Sequence, residues 1–330
     1  MAAPFAEWDG QLTVSGIQLL GAELDGRPVV VRSSPAPGRD VAVYNAVDGT
    51  VLREFGTGEG SGGLRRSHVD AAVLVTLDLF RGLRGTVTQY DLRTGEEVHP
   101  ATWGERRTLW GRPPRMTAVA SFRGADGRRA LLAGWSDGLV QQLDPATGEQ
   151  TGAKLRGTGK AQVWSLAVYT AADGTLRLAC GDAEGVLRRW NPATGNPVGE
   201  PVRAHRAEIQ HLVAYQAQGR TVLATGSGDH SVRIWDPESG TQLGRPMVQL
   251  GNTLGLCAYQ VGEQAALAVA SDRLYRYDGA TGEPLGEPVG EPDDDACLAV
   301  CAVESGERVL LFTAEERGLR RYDGASGTPR

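Results

Sequence analysis

The residues of this chain best able to do chemistry are five histidines, His68, His99, His205, His211 and His230, and four cysteines, Cys180, Cys257, Cys297 and Cys301. Imidazole and thiolate hold zinc when a closely spaced pair is backed by a second pair, and no such set occurs here, so neither a metal nor a cofactor is expected. Four cysteines are too few to frame a chain of 330 residues with disulfides, and reduced thiols are the expectation. Cys297 and Cys301 stand four apart in an apolar, strand-like run, which would hold their Cα atoms about 13 Å apart, beyond the reach of a bridge. Gly58-Glu59-Gly60-Ser61-Gly62-Gly63 satisfies the spacing of a dinucleotide loop, but that loop needs a strand before it and a helix after it. No Gly-x-Ser-x-Gly nucleophile turn exists. Segments such as 165–169 (SLAVY) and 256–260 (LCAYQ) carry few acids or bases, so a catalytic role is not expected.

What must position these residues is visible as a repeat. An apolar residue, two variable ones, Trp, Tyr or Leu, then Asp or Asn, two more, a Thr, Ser or Asp and a Gly recur seven times: VAVYNAVDG, VTQYDLRTG, VQQLDPATG, LRRWNPATG, VRIWDPESG, LYRYDGATG and LRRYDGASG. The closing glycines are Gly49, Gly95, Gly148, Gly195, Gly240, Gly282 and Gly327, so the steps run from 42 to 53 residues. That period belongs to four-stranded propeller blades rather than to helical repeats. In the fifth unit, strands are expected at 209–215, 221–227, 231–235 and 241–246, with Asp236-Pro237-Glu238-Ser239-Gly240 as a turn: Pro presets φ and Gly supplies a positive φ. No segment sustains a 3.6-residue period, so helices should be few or absent. One sheet of this size cannot cover both its faces, whereas seven stacked about an axis cover one another. The expected fold is all-β, a single seven-bladed propeller domain over residues 1–330.

Ring closure is legible too. Pro201, Pro246 and Pro288 each follow a closing glycine by six residues, but the last unit ends at Thr328-Pro329-Arg330. Ala2-Ala3-Pro4 fits beside Gly199-Glu200-Pro201, so residues near 2–8 are expected to supply the outer strand of the last blade.

Composition bounds the partners. The formal charge is −6, from 34 basic and 40 acidic residues, and no basic block concentrates enough charge to bind phosphates, so nucleic acid is not expected. No window is long and apolar enough for a membrane span, and the N-terminus lacks the features of a signal peptide. A cytoplasmic, monomeric protein is the expectation.

The WDPESG, WNPATG and YDGATG endings resemble the WD-repeat β-propellers, most closely bacterial, actinobacterial-type copies, over essentially the whole chain. The resemblance implies a hydrogen-bonded tetrad in each blade, and the fifth blade matches it with His205, Ser227, Asp229 and Trp235. His205 then serves the structure rather than acting as a ligand or base. Asp137 and Glu184 take the Asp position in blades three and four without a matching His, so the rigidity of those blades should come mainly from packing. His211, on an inner strand near the channel mouth, either lines the channel or touches a partner.

The resemblance further implies that the connections preceding the inner strands form a rim where proteins or peptides bind. The longest such connection, 99–115, holds Trp103, Arg106, Arg107, Trp110, Arg112 and Arg115. Trp and Arg dominate interface hot spots, so this loop is the leading partner site, with Trp164, Gln210 and His211 as neighbours. The alternative reading is that its tryptophans staple the loop to its blade. Asp293-Asp294-Asp295 is read as a solvated turn. A non-catalytic protein- or peptide-binding scaffold is the expected function; the alternatives are a propeller enzyme or sugar binder working at the channel mouth, or the sensor part of a larger bacterial signalling or defence protein.

Overall fold

The structure is a computed structural model that describes residues 6–7, 17–34, 40–56, 65–70, 72–78, 86–99, 114–123, 127–156, 160–290, 296–315 and 318–330. Among them are 27 strands and no helix. β1 (Ala6–Glu7) stands apart in sequence from the rest. Blade 1 comprises β2 (Gln18–Leu24), β3 (Arg27–Ser33), β4 (Val41–Asn45) and β5 (Val51–Phe55), and blade 2 β6 (Arg65–Asp70), β7 (Val73–Asp78), β8 (Thr86–Asp91) and β9 (Glu97–His99). Blade 3 comprises β10 (Met116–Arg123), β11 (Arg129–Trp135), β12 (Leu139–Leu143) and β13 (Gln150–Arg156). Blade 4 has β14 (Val163–Thr170), β15 (Leu176–Asp182), β16 (Val186–Trp190) and β17 (Val202–Arg203). Blade 5 has β18 (Ile209–Ala217), β19 (Arg220–Ser227), β20 (Ser231–Trp235) and β21 (Gln242–Val248), close to the spans expected from its sequence. Blade 6 has three named strands, β22 (Gly255–Val261), β23 (Gln264–Ala270) and β24 (Leu274–Asp278), and its outer place is taken by single bridges from Tyr277 to Pro284 and from Leu274 to Val289. Blade 7 has β25 (Ala299–Ser305), β26 (Arg308–Glu315) and β27 (Gly318–Asp323), and its fourth strand is β1.

The first strand of each blade touches the first strand of the next all the way round, with β25 against β2 completing the circle. The fold is a seven-bladed β-propeller, closed by its own N-terminal strand. Ala6 pairs with Leu319 as Val202 pairs with Leu187 and Val289 bridges Leu274. This corrects the alignment of Pro4 with Pro201 by one residue, because that alignment would have set Phe5 opposite Leu319. Residues 1–5 lie outside the described residues.

The core is not one body but seven slabs, each between two successive blades. Ala118, Leu132 and Val140 of blade 3 meet Val163, Leu178 and Cys180 of blade 4, and Val30, Ala42 and Tyr44 of blade 1 meet Phe312, Ala314 and Leu319 of blade 7. This is why strand residues of both parities are apolar: each sheet has two buried faces. Close approach is secured by glycines in the second strands. A Cβ on Gly181 would lie 2.5 Å from Ile209 Cβ of the next blade, and one on Gly226 would lie 2.7 Å from Thr253 Cγ2.

The repeat itself is a turn. In blade 5, Asp236 Oδ1 accepts the N–H groups of Glu238 (2.9 Å) and Ser239 (2.8 Å), and Gly240 N–H, at φ 73°, donates to Asp236 O (2.9 Å). Ser239 Oγ then accepts from Thr241 N–H (3.2 Å). Asn45, Asp91, Asp144, Asn191, Asp278 and Asp323 accept from their own turns in the same way. Every polar residue of the repeat therefore has a backbone duty. Blades are further tied at these turns by the residue before the aromatic one: Arg189 Nη1 donates to Pro237 O (2.7 Å), Arg276 Nη2 to Ser326 O (2.9 Å) and Gln89 Nε2 to Pro145 O (2.6 Å), each in the following blade.

Candidate functional site

Blade 5 holds the one arrangement among the described residues that looks like acid–base machinery. His205 Nδ1 lies 3.0 Å from Asp229 Oδ1, and its Nε2 lies 2.7 Å from Thr225 Oγ1. A carboxylate can only accept, so Nδ1 carries the proton and Nε2 receives the hydroxyl hydrogen of Thr225. The same hydroxyl oxygen accepts the indole N–H of Trp235 at 2.8 Å. An Asp–His–hydroxyl relay is the geometry of nucleophilic catalysis, but Thr225 is 0% exposed and no substrate can reach it. Burial lowers the His205 pKa and keeps the ring neutral, although Asp229 pulls the other way. For Asp229 burial pushes the pKa up, but the Ser231 hydroxyl (2.6 Å), the Arg206 N–H (3.0 Å) and His205 outweigh it, and the carboxyl titrates below its ordinary range. The group is a rivet.

Its hydroxyl member is Thr225 and not Ser227, which corrects the assignment read from sequence. Leu223 pairs with Trp235, so Thr225, two residues on and on the same face, meets the indole. Ser227 lies at the strand end, where its Oγ donates to Ala207 O (3.3 Å) and accepts from Asp229 N–H (3.1 Å).

In blades 4, 6 and 7 other polar groups add to the packing. In blade 4 the acid is Asp182 rather than Glu184: it is 1% exposed, pairs with Arg188, and accepts from the N–H groups of Glu184 and Val186 (both 2.9 Å). In blade 7 Glu315 accepts from Thr313 (3.2 Å) and Tyr322 (3.3 Å) and pairs with Arg320 at 2.5 Å. In blade 6 Gln249, four residues before Thr253 as His205 is before Ile209, donates to Tyr277 Oη (3.3 Å). Asp137 of blade 3 accepts from Leu139 N–H at 3.4 Å.

The channel is a second place to look. A cavity of about 370 Å³ is lined by Gln18, 118–121, 165–168, 210–214 and Leu256, and none of these is an acid, a lysine or an arginine. His211 lines it, and its Nε2 donates to Thr253 O (3.1 Å) of the next blade. Ser165 does the same to Ile209 O (2.8 Å) and Thr117 to Val163 O (2.7 Å), so His211 belongs to a line of staples joining blades 3 to 6. Gln210 lines the same cavity and donates to Glu208 (2.7 Å), and Trp164 is half-buried. Of the 99–115 connection, Arg115 is described: its N–H donates to Ser136 Oγ (2.9 Å) and its carbonyl accepts from Ser136 N–H (2.8 Å). Trp103, Arg106, Arg107, Trp110 and Arg112 lie outside the described residues, as do Asp293, Asp294 and Asp295.

The sequence reading passed over the strongest feature of this rim. The end of β21 and its connection to β22 expose three apolar side chains in seven residues: Val248 (69%), Leu250 (77%) and Leu254 (39%). This connection runs from the outer edge of blade 5 to the channel mouth, beside Gln210 and His211. The apolar residues are visible in VQLGNTL, but their exposure is set only once the neighbouring blades are in place. Next to it stands His230, exposed and at φ 64°, where blades 3 and 4 have Gly138 and Gly185.

Comparison with known proteins adds the fold and little else. No family model matches the chain, and no curated protein matches it. Among solved structures, the crystal structure of the computationally designed Ika8 protein is similar over 95% of this chain and 98% of that chain, with a TM-score of 0.58 and 17% identity. The likeness is one of fold. At that identity, function has to be argued from the site.

Proposed function

We propose that this chain is a non-catalytic scaffold of the WD-repeat type that binds a protein or peptide segment on the rim around the channel mouth. The observation that carries this is the exposure of Val248, Leu250 and Leu254 together on that rim. Soluble proteins keep large apolar side chains in contiguous exposed positions mainly where something docks. The channel supports the same reading, because walls without acids or strong bases offer a substrate little chemistry, while a neutral mouth ringed by Gln18, Gln210 and His211 suits the amides of a peptide. The seven slabs and the rivets hold the rim still, so binding costs little ordering. Apolar side chains of the partner fill the space beside Leu250 and Leu254.

Selection of peptides from a phage-displayed library on the intact protein tests this. Peptides enriched on the native protein should carry an apolar anchor and lose binding to a Leu250→Asp, Leu254→Asp double variant. Equal binding to that variant would move the site elsewhere.

A further inference from the structure

The outer edges of the seven blades are not treated alike. An unpaired strand edge invites another strand, and natural sheets blunt it with proline, glycine kinks, lysine or brevity. Blade 2 ends in a strand of three residues, Glu97–His99. Blade 3 has Gly152 and Lys154 in its edge strand, and blade 4 has Pro197, Gly199 and Pro201 before a strand of two residues. Blade 5 carries Gly244 at φ 63° and Pro246, blade 6 carries Pro284, Gly286 and Pro288, and blade 7 closes with Pro329 and the two-residue β1. Blade 1 differs. Its edge strand β5, VLREF, shares with the edge strands of blades 2, 3 and 5 a bulge, here at Leu52, but has no proline, glycine or lysine beside it, and Val51 to Glu54 are all exposed.

Side chains around this edge define what would fit. Val47 (54%), Val51 (52%), Leu52 (39%) and, on the adjoining blade, Val98 (37%) make four of the seven large apolar side chains exposed among the described residues. Phe55 and Arg53 face blade 2: the Phe55 ring lies 5.5 Å from that of Tyr90, and Arg53 Nη1 donates to Thr94 O (3.2 Å). Asp48, Glu54, Glu96 and Glu97 are exposed here, while the nearby Arg93 is held by Asp25 at 2.8 Å. The edge is apolar and acidic.

We propose that the outer edge of blade 1 is a second docking site, distinct from the channel rim, where an extended basic segment of a partner protein adds to β5 as a fifth strand. Main-chain hydrogen bonds to the side of β5 that no described strand pairs provide the pairing, with apolar side chains of the segment against Val51 and Leu52 and its lysines or arginines toward the carboxylates of Glu54, Glu96 and Glu97. A second copy of this chain fits less well. In an antiparallel two-fold pairing, residues opposite each other have the same parity, so registers centred on Arg53 or Glu54 set like charges face to face.

The test uses a fluorescein-labelled peptide of alternating lysine and valine, with fluorescence anisotropy on the intact protein. Two control peptides replace lysine by glutamate or place a proline at the centre, and both should bind at least about tenfold more weakly. Leu52→Lys should weaken the lysine–valine peptide by about tenfold or more, and Glu54→Lys should reverse the preference toward the glutamate peptide. Both sites are exposed, so thermal melts should match the native protein. Leu250→Asp on the rim should leave this binding unchanged, which separates failure here from failure of the rim site. Equal binding by Leu52→Lys, or sedimentation of the protein alone as a dimer that Leu52→Lys dissociates, would overturn the proposal.

Discussion

The turn that ends each repeat and the turn across the blade from it obey opposite rules. The first, from Asn45 to Gly49 and its six counterparts, uses the same acceptor, the same hydroxyl and the same positive-φ glycine in almost every copy. Beside the second, which joins the middle strands, stand His205, Thr225 and Asp229 in blade 5, Asp182 and Arg188 in blade 4, and Glu315, Thr313 and Arg320 in blade 7. The repeated turn solves a backbone problem that is identical seven times, so one solution serves. The opposite side solves a different packing problem in each blade and borders the rim, so its residues vary. Sequence identity between repeats therefore marks scaffold, and divergence marks the places where function can enter.

The largest effect should come from forcing the blades apart. Gly181→Val would place branched carbon where Ile209 already stands, and overpacking of this kind should cost about 3 kcal/mol and broaden the thermal transition. A variant that melts like the native protein would mean the slabs can slide. Next come the rivets. Thr225→Val leaves the indole N–H of Trp235 and Nε2 of His205 without partners in a dry site, and about 2–3 kcal/mol should be lost in urea unfolding. Ser227→Ala, at the strand end, should cost about 1 kcal/mol or less. The opposite order would restore Ser227 to the role read from sequence.

How much could be read beforehand follows from the same contrast. Seven units, their turns and the closing of the ring by the N-terminus are written locally, in residues that act within their own turn or strand. Thr225 was passed over because Ser227 also faces the right way, and only the pairing of Leu223 with Trp235 decides between them. Asp182 and Glu315 were invisible for a related reason, since each puts an acid where blade 5 has Ser227, and Gln249 because it stands at the place of His205 as an amide rather than an imidazole. Val248, Leu250 and Leu254 drew no notice because exposure depends on what the adjacent blade covers.

Acid separates the two sides further. The His205 pKa is lowered by burial, so as pH falls through the ordinary histidine range near 6.5 the unfolded chain takes up a proton that the folded chain refuses. The stability this site contributes is complete above that range and declines as pH falls toward the folded value. Asp229, also lowered, adds a further loss through the carboxylate range. Urea midpoints measured from about pH 7 to 5 should therefore fall less steeply in His205→Asn than in the native protein. Parallel slopes would mean that His205 takes up its proton as readily in the fold as in the unfolded chain.

The smallest expected effect bears most directly on function. His230 holds φ at 64°, a region that costs a side-chain-bearing residue about 1 kcal/mol, while blades 3 and 4 put Gly138 and Gly185 at that point. His230→Gly relieves this strain but makes the unfolded chain more flexible, so a net gain of about 0.5 kcal/mol or less is expected. A stability gain with weaker binding of peptides selected on the rim would show that the strained imidazole is kept for contact. A gain with binding unchanged would confine the contact surface to Val248, Leu250 and Leu254, and would make His230 part of the scaffold after all.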